Sequence, residues 1–82
     1  HGSNAIIITP NPFIDQARIQ FSNPEEKAYY LIIRDISGKI VREGRGIRGE
    51  EYFISKGLLS TGLYLYEFGN SEKKYLGKLL IE

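Results

Sequence analysis

Cysteine, methionine and tryptophan are absent from this chain of 82 residues, histidine occurs once and proline three times. Without cysteine there is no disulfide framework and no thiolate, so a fold this short must be held by its buried apolar side chains. The same absence suits the cytoplasm and a bacterial surface protein alike. Without methionine there is no initiator, and the chain reads as a processed product or a fragment of a longer protein. His1-Gly2-Ser3 has the look of a tag and linker scar. Residues 1–4 are therefore expected to be a tag remnant and residues 5–82 a single domain. A net charge of +1 supplies no overall field that would draw nucleic acid or an anionic membrane. No apolar run approaches the roughly 20 residues that span a bilayer, and no signal peptide opens the chain.

Chemistry is also poorly supplied. The single histidine lies in the scar, and no Asp/Glu cluster has metal-ligand spacing, so neither metal nor cofactor is expected. Ser37, Ser60 and Thr61 fall in turns with no base to activate them, and no catalytic residue is assigned. Glu25 and Glu26 read as solvated turn residues rather than a general acid and base. The expectation is a protein that is not an enzyme.

What is present is a succession of short strands. Leu31-Ile32-Ile33-Arg34-Asp35-Ile36-Ser37-Gly38-Lys39-Ile40-Val41 reads as two strands joined by a tight turn. Asp35 can accept a hydrogen bond from the backbone two residues on, and Gly38 stands where the turn needs a positive φ. A type I turn with a glycine bulge returns the chain antiparallel. Arg34 is costly to bury unpaired, so Leu31 and Ile33 should face the core with Tyr29, while Tyr30 and Ile32 face outward with Arg34. Val41 points inward on the return strand, from Lys39 to about Glu43. Ile32 and Ile40 are left on the outer side, either covered or forming an exposed patch.

Earlier in the chain, Ala5 to Thr9 is a strand that Pro10-Asn11-Pro12 ends. Phe13 should pin the bend to the core. Ala17, Ile19 and Phe21 alternate with Gln16, Arg18 and Gln20, the period of a half-buried strand. Ser22 to Lys27 is a polar turn. Gly44-Arg45-Gly46-Ile47-Arg48-Gly49 matches the dinucleotide fingerprint by letter, but strand-like Glu50 to Ile54 follows it where a helix N-terminus is required. The segment, with Arg42, Arg45 and Arg48, is read as a solvated loop, and no nucleic-acid partner is expected. Leu59-Ser60-Thr61-Gly62-Leu63-Tyr64 has the form of a tyrosine corner, with Tyr64, Tyr66 and Phe68 inward and Glu67 outward. Lys73 to Glu82 is a last strand, with Tyr75, Leu79 and Ile81 on one face and Lys74, Lys78 and Leu80 on the other. No stretch sustains a 3.6-residue period with caps. About seven short strands at sandwich spacing therefore imply an all-β antiparallel sandwich without helix.

Four motifs in series carry a family resemblance: Pro10-Asn11-Pro12-Phe13, Leu31-x-Ile33-x-Asp35-x-x-Gly38-x-x-Val41, Leu59-x-x-Gly62-x-Tyr64 and Lys78-Leu79-Leu80-Ile81. In order and spacing the chain resembles the type A C-terminal sorting domain of the type IX (Por) secretion system. That resemblance implies an Ig-like sandwich that directs a cargo protein, joined covalently on its N-terminal side, through the outer-membrane translocon of Bacteroidota. It implies passage through the periplasm and arrival at the cell surface or in the medium. In many members a surface sortase cuts upstream of the Pro-Asn-Pro motif and joins the cargo to anionic lipopolysaccharide. The family often ends in a basic residue, whereas this chain ends in Glu82.

The implied recognition residues are Pro10, Asn11, Pro12, Lys78, Leu80 and Glu82, read by the translocon or its shuttle. Phe13, Asp35, Gly38, Val41, Leu59, Gly62 and Tyr64 are structural. Lys78 and Leu80 would lie on a terminal strand with an open edge, which a partner or a second, strand-exchanging copy can extend. The alternative is a non-catalytic carbohydrate-binding, adhesive or spacer module of a surface protein, with Tyr29, Tyr30, Phe53 and Tyr75 as candidate exposed aromatics.

Overall fold

Strict alternation of side chains along short strands decides which residues meet in this molecule. The computed structural model describes residues 6–82, so the expected tag remnant, with His1, lies outside the described residues. Seven strands follow in order: β1 (Ile7–Thr9), β2 (Gln16–Gln20), β3 (Tyr29–Asp35), β4 (Ile40–Ile47), β5 (Glu51–Ser55), β6 (Gly62–Gly69) and β7 (Lys74–Ile81). They form two antiparallel sheets, ordered β1-β2-β5 and β4-β3-β6-β7, and no helix occurs among the described residues. This is the all-β sandwich that the strand spacing predicts, and its sheet order is that of an Ig-like fold.

Ala17 and Ile19 of β2 and Ile54 of β5 face Leu31 and Ile33 of β3, Phe68 of β6 and Leu79 and Ile81 of β7, all essentially removed from water. Phe21, Tyr29 and Phe68 close one end of this core, with ring centroids 4.7–5.1 Å apart and Tyr29 stacked on Phe68 at 9°. Tyr29 is thus a core residue and not an exposed aromatic. Inside the sandwich Tyr66 lies over Gly77, where an added Cβ would come within 2.6 Å of its ring. Burial of that phenol pushes the Tyr66 pKa up.

The stretch expected to be a loop at residues 44–49 is mostly strand. β4 continues to Ile47, which is buried, and the pairing with β3 slips so that Arg45 and Gly46 together oppose Tyr30. Arg42 bonds two carbonyls, those of Ser55 at 2.8 Å and Lys56 at 3.2 Å, and Arg48 bonds the carbonyl of Glu26 at 2.7 Å. These arginines tie strands and turns together. The turn after β2 also holds more than solvent. Asn23, 4 % exposed, donates its side-chain amide to the carbonyls of Lys27 and Gly49 and accepts from the amide of Lys27, which fastens the turn to the start of β5.

Candidate functional site

The β3–β4 hairpin is organised by one carboxylate. Asp35 Oδ1 accepts from the backbone N–H of Ser37 at 2.9 Å, from that of Lys39 at 3.1 Å and from the Ser37 hydroxyl at 2.6 Å. The Ser37 hydroxyl, followed by the two amides, holds the Asp35 carboxyl below the ordinary range. Gly38 sits at φ 94° and donates to the Asp35 carbonyl. Val41 then occupies a one-residue bulge and packs half-buried on the core. The Asp35 to Gly38 spacing does what the sequence predicts.

The second structural motif also closes as expected. Leu59 packs against the core, Gly62 opens β6, and the buried Tyr64 donates its hydroxyl to the Ser60 carbonyl at 2.7 Å. A hydroxyl returned to backbone four residues upstream is a tyrosine corner.

The candidate recognition residues lie far apart in sequence and are brought together. Between β1 and β2 the chain leaves the three-stranded sheet and runs beside β7 of the other sheet. Phe13, 1 % exposed, forms a parallel bridge with Ile81, donating to the Leu80 carbonyl at 3.0 Å and accepting from the Glu82 amide at 2.8 Å. One step earlier the side chain of Asn11 takes the place of a peptide group. Its Nδ2 donates to the Lys78 carbonyl and its Oδ1 accepts from the Leu80 amide, both at 3.1 Å. Pro10, Pro12, Lys78, Leu80 and Glu82 all remain exposed around this seam. The open edge expected at Lys78 and Leu80 is therefore closed from the Lys78 carbonyl to Glu82. The reason is that an asparagine amide carries the same donor and acceptor as a backbone unit, and two prolines beside it supply no competing N–H.

The outer face of the four-stranded sheet carries a charged centre within apolar surroundings. Glu67 accepts from the Tyr30 hydroxyl at 2.5 Å and lies 3.4 Å from Arg34 and 3.8 Å from Lys74. The Tyr30 bond, above all, lowers the Glu67 pKa, and the same bond raises that of Tyr30. Around it Ile40, Leu63, Leu65, Leu76 and Leu80 are each at least 37 % exposed. Tyr30 is thus engaged on this face and Tyr75 is half-buried, which leaves Phe53, at 49 %, as the large exposed aromatic of the four candidates. Phe53 borders a shallow groove of about 420 Å³ with Pro10 and Arg18. Among the described residues no group of three or more His, Cys, Asp or Glu could hold a metal ion. No helix among the described residues is long and apolar enough to cross a membrane.

Sequence reasoning placed the two motifs but not the contact between them. A prolyl turn and a terminal strand have no shared periodicity, and the only signal was that Asn11 lies between two prolines. Comparison with known families matches residues 7–82 to a model described as a secretion system C-terminal sorting domain. Comparison with curated proteins finds no match.

Proposed function

The chain belongs to the family of C-terminal sorting domains of the type IX (Por) secretion system, and we propose that its signal is read at the seam where Pro10-Asn11-Pro12 lies along Lys78-Leu79-Leu80-Ile81-Glu82. A sorting signal directs export toward the cell surface or the medium and acts by contact with the secretion machinery. Such a family is not a catalytic one.

The finer reading is a domain that follows its cargo in the chain and folds in the periplasm. The translocon or its shuttle takes it there. A sortase then cuts upstream of Pro10 and joins the cargo to anionic lipopolysaccharide. The family match supports export itself, and the observation that carries the seam as the signal is the pair of bonds from Asn11 to Lys78 and Leu80. They hold the prolyl turn and the terminal strand, from both ends of the sequence, in one fixed arrangement, which a rigid receptor can match without ordering a flexible tail. The alternative, a carbohydrate-binding or adhesive module, rests on Phe53 and its groove alone.

The test is a reporter fused ahead of the domain in a bacterium that has the system. Deleting Leu80 to Glu82 would remove the buried Ile81 and the bonds to Phe13, so side-chain changes are cleaner. Lys78→Glu with Leu80→Ser alters the outward side chains only. Surface yield should fall by about tenfold while the melting temperature of the purified domain stays near the parent value. A folded variant exported at full yield would refute the seam as the signal.

A further inference from the structure

The seam closes only part of the β7 edge. Along this strand every second residue turns its backbone N–H and C=O away from β6, and Leu80, bonded outward to Asn11 and Phe13, fixes which ones. By that alternation the N–H and C=O of Lys74 and Leu76, and the N–H of Lys78, point outward. Among the described residues these groups have no hydrogen-bond partner. The side chains of the same three residues stand exposed on the outer face of the sheet, reading Lys, Leu, Lys. Leu76 is 68 % exposed and, with Leu65, Arg34, Glu67 and Lys78, borders a cleft of about 350 Å³. Glu67 lies opposite Leu76, its carboxylate 3.4 Å from Arg34 and 3.8 Å from Lys74, which leaves Lys78 as the cation of this cleft with no ion pair among the described residues.

We infer that this half-edge is a docking site for an extended acidic segment of a partner protein, with acid, apolar and acid at alternate positions. Added as a fifth strand beside β7, such a segment satisfies the outward backbone groups. It sets one carboxylate opposite Lys74, an apolar side chain opposite Leu76 and a second carboxylate opposite Lys78. The pattern reads the same in either direction, so charge fits a parallel or an antiparallel guest. A second copy of this chain fits poorly in the register symmetric about Leu76. Two β7 strands paired antiparallel about Leu76 set Lys74 of each against Lys78 of the other, and like charges directly opposite are unfavourable. Shifting the register toward the end of the strand is blocked, because Asn11 and Phe13 already occupy Leu80. This site adjoins the seam and shares Lys78 with it, whose carbonyl is bonded to Asn11, but peptide binding to the purified chain does not depend on the seam being the signal.

The test uses the whole chain, labelled for NMR, and a short synthetic peptide in which Thr alternates with Glu, Val and Glu in turn. The amide signals of Leu76 and Lys78 should move, and their hydrogen exchange should slow by about tenfold at saturation. Binding should weaken with added salt, and a counterpart peptide with Lys for both Glu should not bind. Leu76→Pro removes an outward N–H that does not serve β6, and it should weaken binding by about tenfold. If that variant does not fold, Lys74→Gln with Lys78→Gln should weaken binding several-fold and abolish its salt dependence. Unmoved Leu76 and Lys78 signals, or equal binding of the lysine peptide, would overturn the proposal. So would movement of the same signals on concentrating the protein alone, which would make a second copy the occupant.

Discussion

Gly38 has no atom within 4 Å of where a Cβ would stand, so a side chain there costs backbone conformation and not space. At φ 94° a β-branched residue is strained, and Gly38→Val should destabilise the domain by about 1–3 kcal/mol. Equal melting temperatures for the two proteins would show that the turn relaxes without loss. Tyr64→Phe keeps the ring and its burial but leaves the Ser60 carbonyl without its hydroxyl donor. About 1 kcal/mol should be lost in urea denaturation, with the slope unchanged. Both positions are legible in the sequence, because a glycine three residues past an aspartate, and a tyrosine two past a glycine, are local signals. Asn23 is not legible. It sits in a run of polar residues, and only the approach of Gly49 from a distant turn makes it a buried hub.

At the scale of elements, the alternation of β2, β3, β6 and β7 predicts which residues face the core, and Tyr29 and Phe68 meet as that pattern requires. β4 shows where a pattern misleads: three glycines suggested a loop, yet the strand persists because its partner β3 offers a full ladder and the slip opposite Tyr30 absorbs the extra residue. Edge closure is invisible in the sequence for a related reason, since a side-chain amide that imitates a peptide unit leaves no period behind. Asn11→Ala should therefore open the β7 edge locally. Hydrogen exchange at the Leu80 amide should accelerate by about tenfold or more, with a stability loss of about 1–2 kcal/mol. An unchanged exchange rate at Leu80 would mean that Phe13 alone holds the segment.

Across the whole molecule, the perturbed ionisable groups divide by sign. Asp35, Glu67 and Glu72 have lowered pKa values, from the Ser37 hydroxyl, the Tyr30 hydroxyl and the Lys27 ammonium respectively. Their ionised forms are favoured by folding, so the stability they confer is complete above the unfolded carboxylate pKa. It is lost as pH falls through the lowered folded values. Lys27, Tyr30 and Tyr66 are raised, the first two chiefly by bonds to Glu72 and Glu67 and Tyr66 by burial, so their contribution is complete below their unfolded values and lost as pH rises through the folded ones. A urea series over pH should show a plateau near neutrality with an acid limb that Asp35→Asn with Glu67→Gln flattens. Persistence of the full acid limb in that double variant would assign it to other carboxylates. The seam between Asn11–Phe13 and Lys78–Glu82 also has a mechanical side. The two segments run parallel, with the chain entering from Ile6 at one end and leaving at Glu82 at the other. Tension applied between Ile6 and Glu82 slides the segments lengthwise past each other. The four bonds of the seam then share the load and must rupture together rather than peel one by one, so the fold is braced along the axis from Ile6 to Glu82.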